Sequence, residues 1–94
     1  MSIEKALKEP FKIEMKGRRG KLEIMAEVLS IAREGVGKTE IVYQANLNFK
    51  RVKNYLYYLE EKGLLENSGL EYKTTEKGEE FLHDYQKMKR LLIF

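Results

Sequence analysis

The sequence predicts a mainly α-helical domain carrying one small β-hairpin, an α+β arrangement, and three observations carry the prediction. Ile24, Met25, Val28, Leu29 and Ala32 recur at spacings of one, three and four, the apolar stripe of a helix. Ala45-Asn46-Leu47-Asn48 interrupts a second helical pattern and restarts it, with one residue that tolerates the left-handed conformation and one that caps. Asn67-Ser68-Gly69 is a turn-forming triplet between two short strand-like runs, Leu64-Leu65-Glu66 and Tyr72-Lys73-Thr74.

Each element follows in order. Residues 1–20 read as a basic N-terminal arm. Within it Ile3, Ala6 and Leu7 line a short helical turn that ends before Pro10, and Phe11, Ile13 and Met15 alternate with charge as a strand does. Gly17-Arg18-Arg19-Gly20 forms a loop. The domain proper spans residues 21–94. Its first helix runs from Lys21 and is terminated by Gly35; its second runs from about Thr39 to Ala45 and buries Ile41, Val42 and Ala45. Asn46 ends that helix, Asn48 caps the third, and the third spans about 49–62 before Gly63 stops it. Thr75 caps a last helix of about 75–92. Val36 is placed to pair as a small extra strand. The order helix, helix, helix, hairpin, helix is that of a winged helix-turn-helix, with the hairpin as the wing.

Composition bounds what this domain can do. Ninety-four residues make one domain with limited stability in reserve. There is no cysteine, so no disulfide framework or thiolate metal site can form. The Lys/Glu-rich balance suits a thermophilic cytoplasm. No apolar run is long enough for a signal peptide core or a membrane span, which leads us to expect a soluble, cytoplasmic, nucleoid-associated protein. The net charge of +3 is unevenly spread: residues 1–21 hold seven Lys/Arg against three Glu, and residues 22–94 hold eleven against twelve acidic groups. A basic arm on a near-neutral domain suits a polyanion, although charge runs also serve as plain solvated surface.

The third helix carries the functional signal. On a helical wheel Phe49, Val52, Tyr55, Leu56 and Leu59 share the arc expected to face the core. Lys50, Lys53, Asn54 and Tyr57 share the opposite arc, with Arg51 and Tyr58 beside it. Lys and Arg reach phosphates or guanine edges, Asn pairs with adenine, and Tyr contacts sugar, phosphate or a thymine methyl. The cations lie in the first turns and Glu60 and Glu61 in the last. Both placements oppose the helix dipole, at roughly 0.3–1 kcal/mol per charge. A face selected for folding alone would have the reverse polarity. Asn48, Lys50, Arg51, Lys53, Asn54 and Tyr57 are therefore candidate DNA contacts, joined by Lys38 and Thr39 at the start of helix two. Lys73 on the wing is a candidate phosphate contact, and Arg18, Arg19 and Lys21 could serve as an arm reaching phosphates or a minor groove.

Other chemistry finds little support. Gly35-Val36-Gly37-Lys38-Thr39 imitates a phosphate-binding loop, but that loop needs glycine where Ala32 stands, and no strand precedes it. His83 is the single histidine, so a zinc site lacks ligands, and Glu79-Glu80 reads as solubilising charge. No enzyme activity, metal, cofactor or small-molecule ligand is expected.

Phe81, Tyr85, Met88 and Leu92 follow the 4-3-4 spacing of a coiled-coil seam, widened by Leu82 and Leu91. The alternative is that this helix packs back on helix one. Leu91-Leu92-Ile93-Phe94 is too apolar to end in water, so a homodimer is expected with Phe81, Tyr85, Met88, Leu92 and Phe94 at the interface.

With these residues placed, the chain resembles the archaeal winged-helix proteins of the small transcriptional-regulator and ten-kilodalton chromatin-protein group. The resemblance covers about Lys21 to Leu92. It is carried by Lys38-Thr39-Glu40-Ile41 with Tyr43-Gln44-Ala45-Asn46-Leu47, by Tyr58-Leu59-Glu60-Glu61-Lys62-Gly63-Leu64-Leu65-Glu66, and by Tyr72-Lys73-Thr74-Thr75-Glu76-Lys77-Gly78-Glu79-Glu80-Phe81-Leu82. It implies double-stranded DNA binding and dimerisation through the C-terminal helix. The expected function is a homodimeric DNA-binding transcriptional regulator with helix three in the major groove. The alternatives are an architectural nucleoid protein with little sequence specificity, and a protein-interaction module using Tyr55, Tyr57 and Tyr58.

Overall fold

The structure is a computed structural model, and it describes residues 19–93. The expected short helix and strand of the N-terminal arm, together with Arg18 and Phe94, lie outside the described residues. The helices are α1 (Lys21–Ile31), α2 (Lys38–Ala45), α3 (Phe49–Glu61) and α4 (Glu76–Ile93). Strands β1 (Leu65–Asn67) and β2 (Tyr72–Thr74) form the hairpin between α3 and α4.

Helix α1 sits at the centre, packed against α2, α4 and the hairpin. That position explains its sequence. Ile24, Val28, Leu29 and Ala32 are buried as the stripe predicted, while Met25 is half-buried and Ala26, off the stripe, is buried as well. A helix with neighbours on several sides buries more than one arc. Ile41 of α2, Val52, Leu56 and Leu59 of α3, Leu64 and Leu65 of the hairpin arm, and Leu82 of α4 complete one core. Fully burying each such aliphatic side chain stabilises the fold by roughly 1.5–3 kcal/mol. Val42 is half-buried at its edge.

The turns are built by local chemistry. A short 3-10 turn (Ala32–Glu34) extends α1, and Gly35 ends it at φ +94°. Asn46 adopts φ 56°, ψ 48°, the left-handed stop expected of it. Asn48 Oδ1 accepts the Arg51 backbone N–H at 2.8 Å, so the third helix starts on a side-chain cap. Helix α3 ends one residue earlier than expected, at Glu61, and Gly63 takes φ +79°.

In the hairpin Leu65 pairs with Thr74, Glu66 with Lys73 and Asn67 with Tyr72. The Gly69 N–H donates to Asn67 Oδ1 at 2.8 Å, and the Ser68 N–H donates to the Glu71 carbonyl at 2.9 Å, closing the tip. Val36 exchanges two backbone hydrogen bonds with Tyr72, at 3.0 and 2.7 Å, and so adds a single antiparallel bridge to β2. The buried Thr74 hydroxyl donates to the Leu29 carbonyl and ties the wing to α1.

The segment Thr75-Glu76-Lys77-Gly78 locks α4 in place. Thr75 Oγ1 donates to the Gly63 carbonyl at 2.7 Å and accepts the Gly78 N–H at 3.1 Å. Lys77 Nζ donates to the Lys62 carbonyl at 3.2 Å, completing the end of α3. The Arg33 guanidinium meets the Glu79 carboxylate at 3.1 Å.

One expectation about packing is corrected. Phe49 shares the wheel arc of Val52 and Leu56, yet it is 54% exposed. It is the first residue of α3, and helical side chains lean toward the N-terminus, so its ring projects past the core. The Lys38 ammonium lies 5.4 Å from the ring centroid instead.

Candidate nucleic-acid interface

Helices α2 and α3 with their three-residue turn place one polar face outward. Val52, Leu56 and Leu59 anchor α3 inward, and the periodicity then leaves Lys50, Arg51, Lys53, Asn54 and Tyr57 exposed on the other side. The first turn of α3 contains no acidic residue and its last turn no basic one. The cationic end is therefore the end that Asn48 caps. Capping employs Asn48 Oδ1 and does not use the NH2 group of this exposed side chain.

The remaining candidates divide. Thr39 is exposed at the start of α2, and half-buried Lys38 covers Phe49 beside it. The Arg19 guanidinium donates to Glu27 of α1 and to the Asn46 carbonyl at 3.3 Å, so it braces α1 against the turn rather than extending outward. Lys73 is exposed on the wing, but its cross-strand partner is Glu66, and Glu71 follows the tip. A carboxylate directly opposite a cation weakens the local field that phosphates would meet. The structure thus groups Asn48, Lys50, Arg51, Lys53, Asn54, Tyr57, Lys38 and Thr39 on the helix-turn-helix, with Lys73 apart on the hairpin.

Exposed aromatic side chains are more prominent on α2 and α3 than the sequence suggested. Tyr43 is 82% exposed on α2, Tyr57 66% and Tyr58 46% on α3. Tyr43 lies two residues from both Ile41 and Ala45, so its outward direction was open to the wheel and went unread. The Tyr57 hydroxyl donates to Glu61 at 3.3 Å, and Lys62 Nζ sits 5.5 Å from the Tyr58 ring centre. Leu70, 89% exposed at the hairpin tip, is a further apolar group that turn chemistry does not flag.

On α4 the seam residues separate into two sets. Phe81 and Tyr85 pack against the core of the domain, with ring centroids 6.5 Å apart and nearly parallel. Met88 and Leu91 are exposed, and Leu92 is half-buried. His83 is exposed near Asp84 at 3.8 Å. Among the described residues no acidic or histidine cluster could hold a metal ion, and no helix is long and apolar enough to cross a membrane.

Three helices, a capped three-residue turn and a two-stranded wing define a winged helix-turn-helix with a cationic third helix. The chain belongs to the winged helix-turn-helix family, whose sequence model matches residues 18–92. It is 33% identical over 76 residues to the uncharacterized protein MJ0290 of Methanocaldococcus jannaschii, covering 80% of this chain and 36% of that protein. It is 32% identical over 62 residues to MJ0287 of the same organism, covering 65% and 64%. The chain thus spans about a third and under two thirds of the lengths of these relatives.

Among solved structures it is similar to Sso10a-2, a DNA-binding protein from Sulfolobus solfataricus, with a TM-score of 0.70 and 27% identity over 78% of this chain and 81% of that one. The likeness places the chain in the archaeal winged-helix group that its motifs resemble. Ligand-free NadR shares the fold at a TM-score of 0.52 and 19% identity, over 97% of this chain and 76% of that one.

Proposed function

We propose that this protein is a homodimeric regulator that binds double-stranded DNA with α3 in the major groove. One observation carries the reading: Lys50, Lys53, Asn54 and Tyr57 share an exposed face in the first turns of a helix whose charges oppose its own dipole. Charges that disfavour the helix are expected where a polyanion repays them. In the groove Asn54 reads a base edge, Lys50, Arg51 and Lys53 engage phosphates or guanine, and Thr39 and Lys38 meet the backbone that α2 crosses. The similarity to Sso10a-2 supports the same partner. The apolar outer part of α4, with Met88 and Leu91 exposed, supports pairing of two copies there.

The cations on this face, Lys50, Arg51 and Lys53, outnumber its amides, Asn48 and Asn54, which favours a second reading as an architectural protein that binds DNA with little sequence preference. Selection from a random duplex pool separates the two. A regulator enriches a defined site with two-fold symmetry; an architectural protein enriches none. Absence of binding to any duplex at low salt removes both.

A further inference from the structure

At the edge of the reader face, sharing Arg51 and Asn54 with it, lies an open groove of about 510 Å³ between the first turns of α1 and the length of α3. Among the described residues its lining comes from Lys21 and Met25, one turn apart on α1, and from Arg51, Asn54, Tyr55 and Tyr58, spaced i, i+3, i+4 and i+7 on α3. The volume falls within the roughly 300–1,000 Å³ of small-ligand sites. The brace from Arg19 to Glu27 and to the Asn46 carbonyl holds the start of α1 against the turn that precedes α3. The two walls are therefore fixed relative to each other.

The lining combines three kinds of chemistry. Tyr55 and Tyr58 offer aromatic surface with Met25 beside them, and a thioether packs well against flat rings. Asn54 offers a donor and an acceptor side by side, the pattern that pairs with a base edge. Lys21 and Arg51 offer two cations, and among the described residues no carboxylate is paired with either. A paired duplex presents base edges to a reader and keeps base faces stacked, so two aromatic rings lining one groove have no base face to stack on there. An unstacked base uses all three groups at once.

We propose that this groove binds one nucleobase together with its phosphate, the base against Tyr55 and Tyr58, its edge on Asn54, and the phosphate between Lys21 and Arg51. The same chemistry has two sources, an unpaired nucleotide in a bound nucleic acid or a free nucleoside monophosphate. The site goes beyond the major-groove reading and rests on it only where the ligand is part of a duplex.

The test uses the whole chain in two arms. In one, AMP, CMP and inorganic phosphate are titrated while NMR follows the Met25 methyl and the tyrosine rings. In the other, affinity is compared between a fully paired duplex and the same duplex with one bulged adenosine. A free-nucleotide site shows shifts with AMP or CMP and none with phosphate. A site for an unpaired base shows about tenfold tighter binding of the bulged duplex, the low to middle range for stacking one base.

Met25→Trp fills the groove and is expected to abolish either signal. Should circular dichroism show that variant unfolded, Tyr58→Ala is expected to lose the signal and Tyr58→Phe to keep it. No shift with either nucleotide and equal affinity for both duplexes overturns the proposal, as does a folded Met25→Trp chain that retains the signal. Nucleotide shifts without any duplex binding leave the groove standing and remove the major-groove reading instead.

Discussion

Gly78 stands so close to Leu64 that a β-carbon on it would overlap the Leu64 carbonyl oxygen and approach Thr74 Cγ2 to 2.6 Å. That carbonyl is not free to retreat, because it accepts the Thr75 N–H at 3.0 Å. The contact is where α4 leaves the wing and seats on the domain. Alanine in a helix interior ordinarily gains about 1 kcal/mol over glycine. Here overpacking against backbone costs up to about 3 kcal/mol, so the clash wins. Gly78→Ala is expected to lose about 2 kcal/mol net and to lower Tm by roughly 4–8 °C per kcal/mol lost, read by thermal denaturation. An unchanged or raised Tm would show that α4 can slide.

The turn residues Asn46 and Asn48 stabilise in different ways and respond to different substitutions. Asn46 needs the left-handed region, so Asn46→Gly is expected to be nearly neutral and Asn46→Ala to cost roughly 1–2 kcal/mol. Asn48 needs its side-chain oxygen, so Asn48→Ala is expected to cost about 1 kcal/mol and Asn48→Asp to be tolerated. Urea denaturation of the four variants checks the pattern; equal losses at both sites would refute the assignment.

Lys53 lies on the exposed face of α3 in its second turn. If it neutralises one phosphate, Lys53→Ala reduces the log–log salt slope of duplex binding by about one. Lys87→Ala, an exposed lysine of α4, is expected to leave the slope alone. The measurement is affinity across a salt series, and identical slopes for wild type and Lys53→Ala would move Lys53 off the contact list.

Met88 and Leu91 are 43% and 71% exposed in the protomer. In the proposed dimer they are covered by the partner copy, so the double variant Met88→Lys/Leu91→Lys is expected to shift the protein to monomer in sedimentation at micromolar concentration. The helix should survive, since lysine is a good helix former. A wild-type chain that sediments as monomer at that concentration would end the dimer model outright.

The stripe of Ile24, Val28, Leu29 and Ala32 and the stops at Asn46 and Gly63 were legible because helix periodicity and capping act over one or two turns. The face carrying Lys50, Lys53, Asn54 and Tyr57 was legible for the same reason. Phe49 was misread because the wheel knows the direction of a residue and not whether a neighbour reaches it. Arg19, assigned to an arm, braces Glu27 and the Asn46 carbonyl, residues eight and twenty-seven positions away. No local pattern contains that relationship.

By itself the sequence determined the helices, their ends, the hairpin and the side of α3 that carries charge, since each depends on neighbours within a few residues. Tertiary structure alone decided that Lys21 and Met25 of α1 face Arg51, Asn54, Tyr55 and Tyr58 of α3 across one groove. It also decided that Lys73 lies opposite Glu66, and that Gly78 has no room for a side chain. These depend on how separate elements are set against each other, and the close packing of the core sets that only once all of them are present.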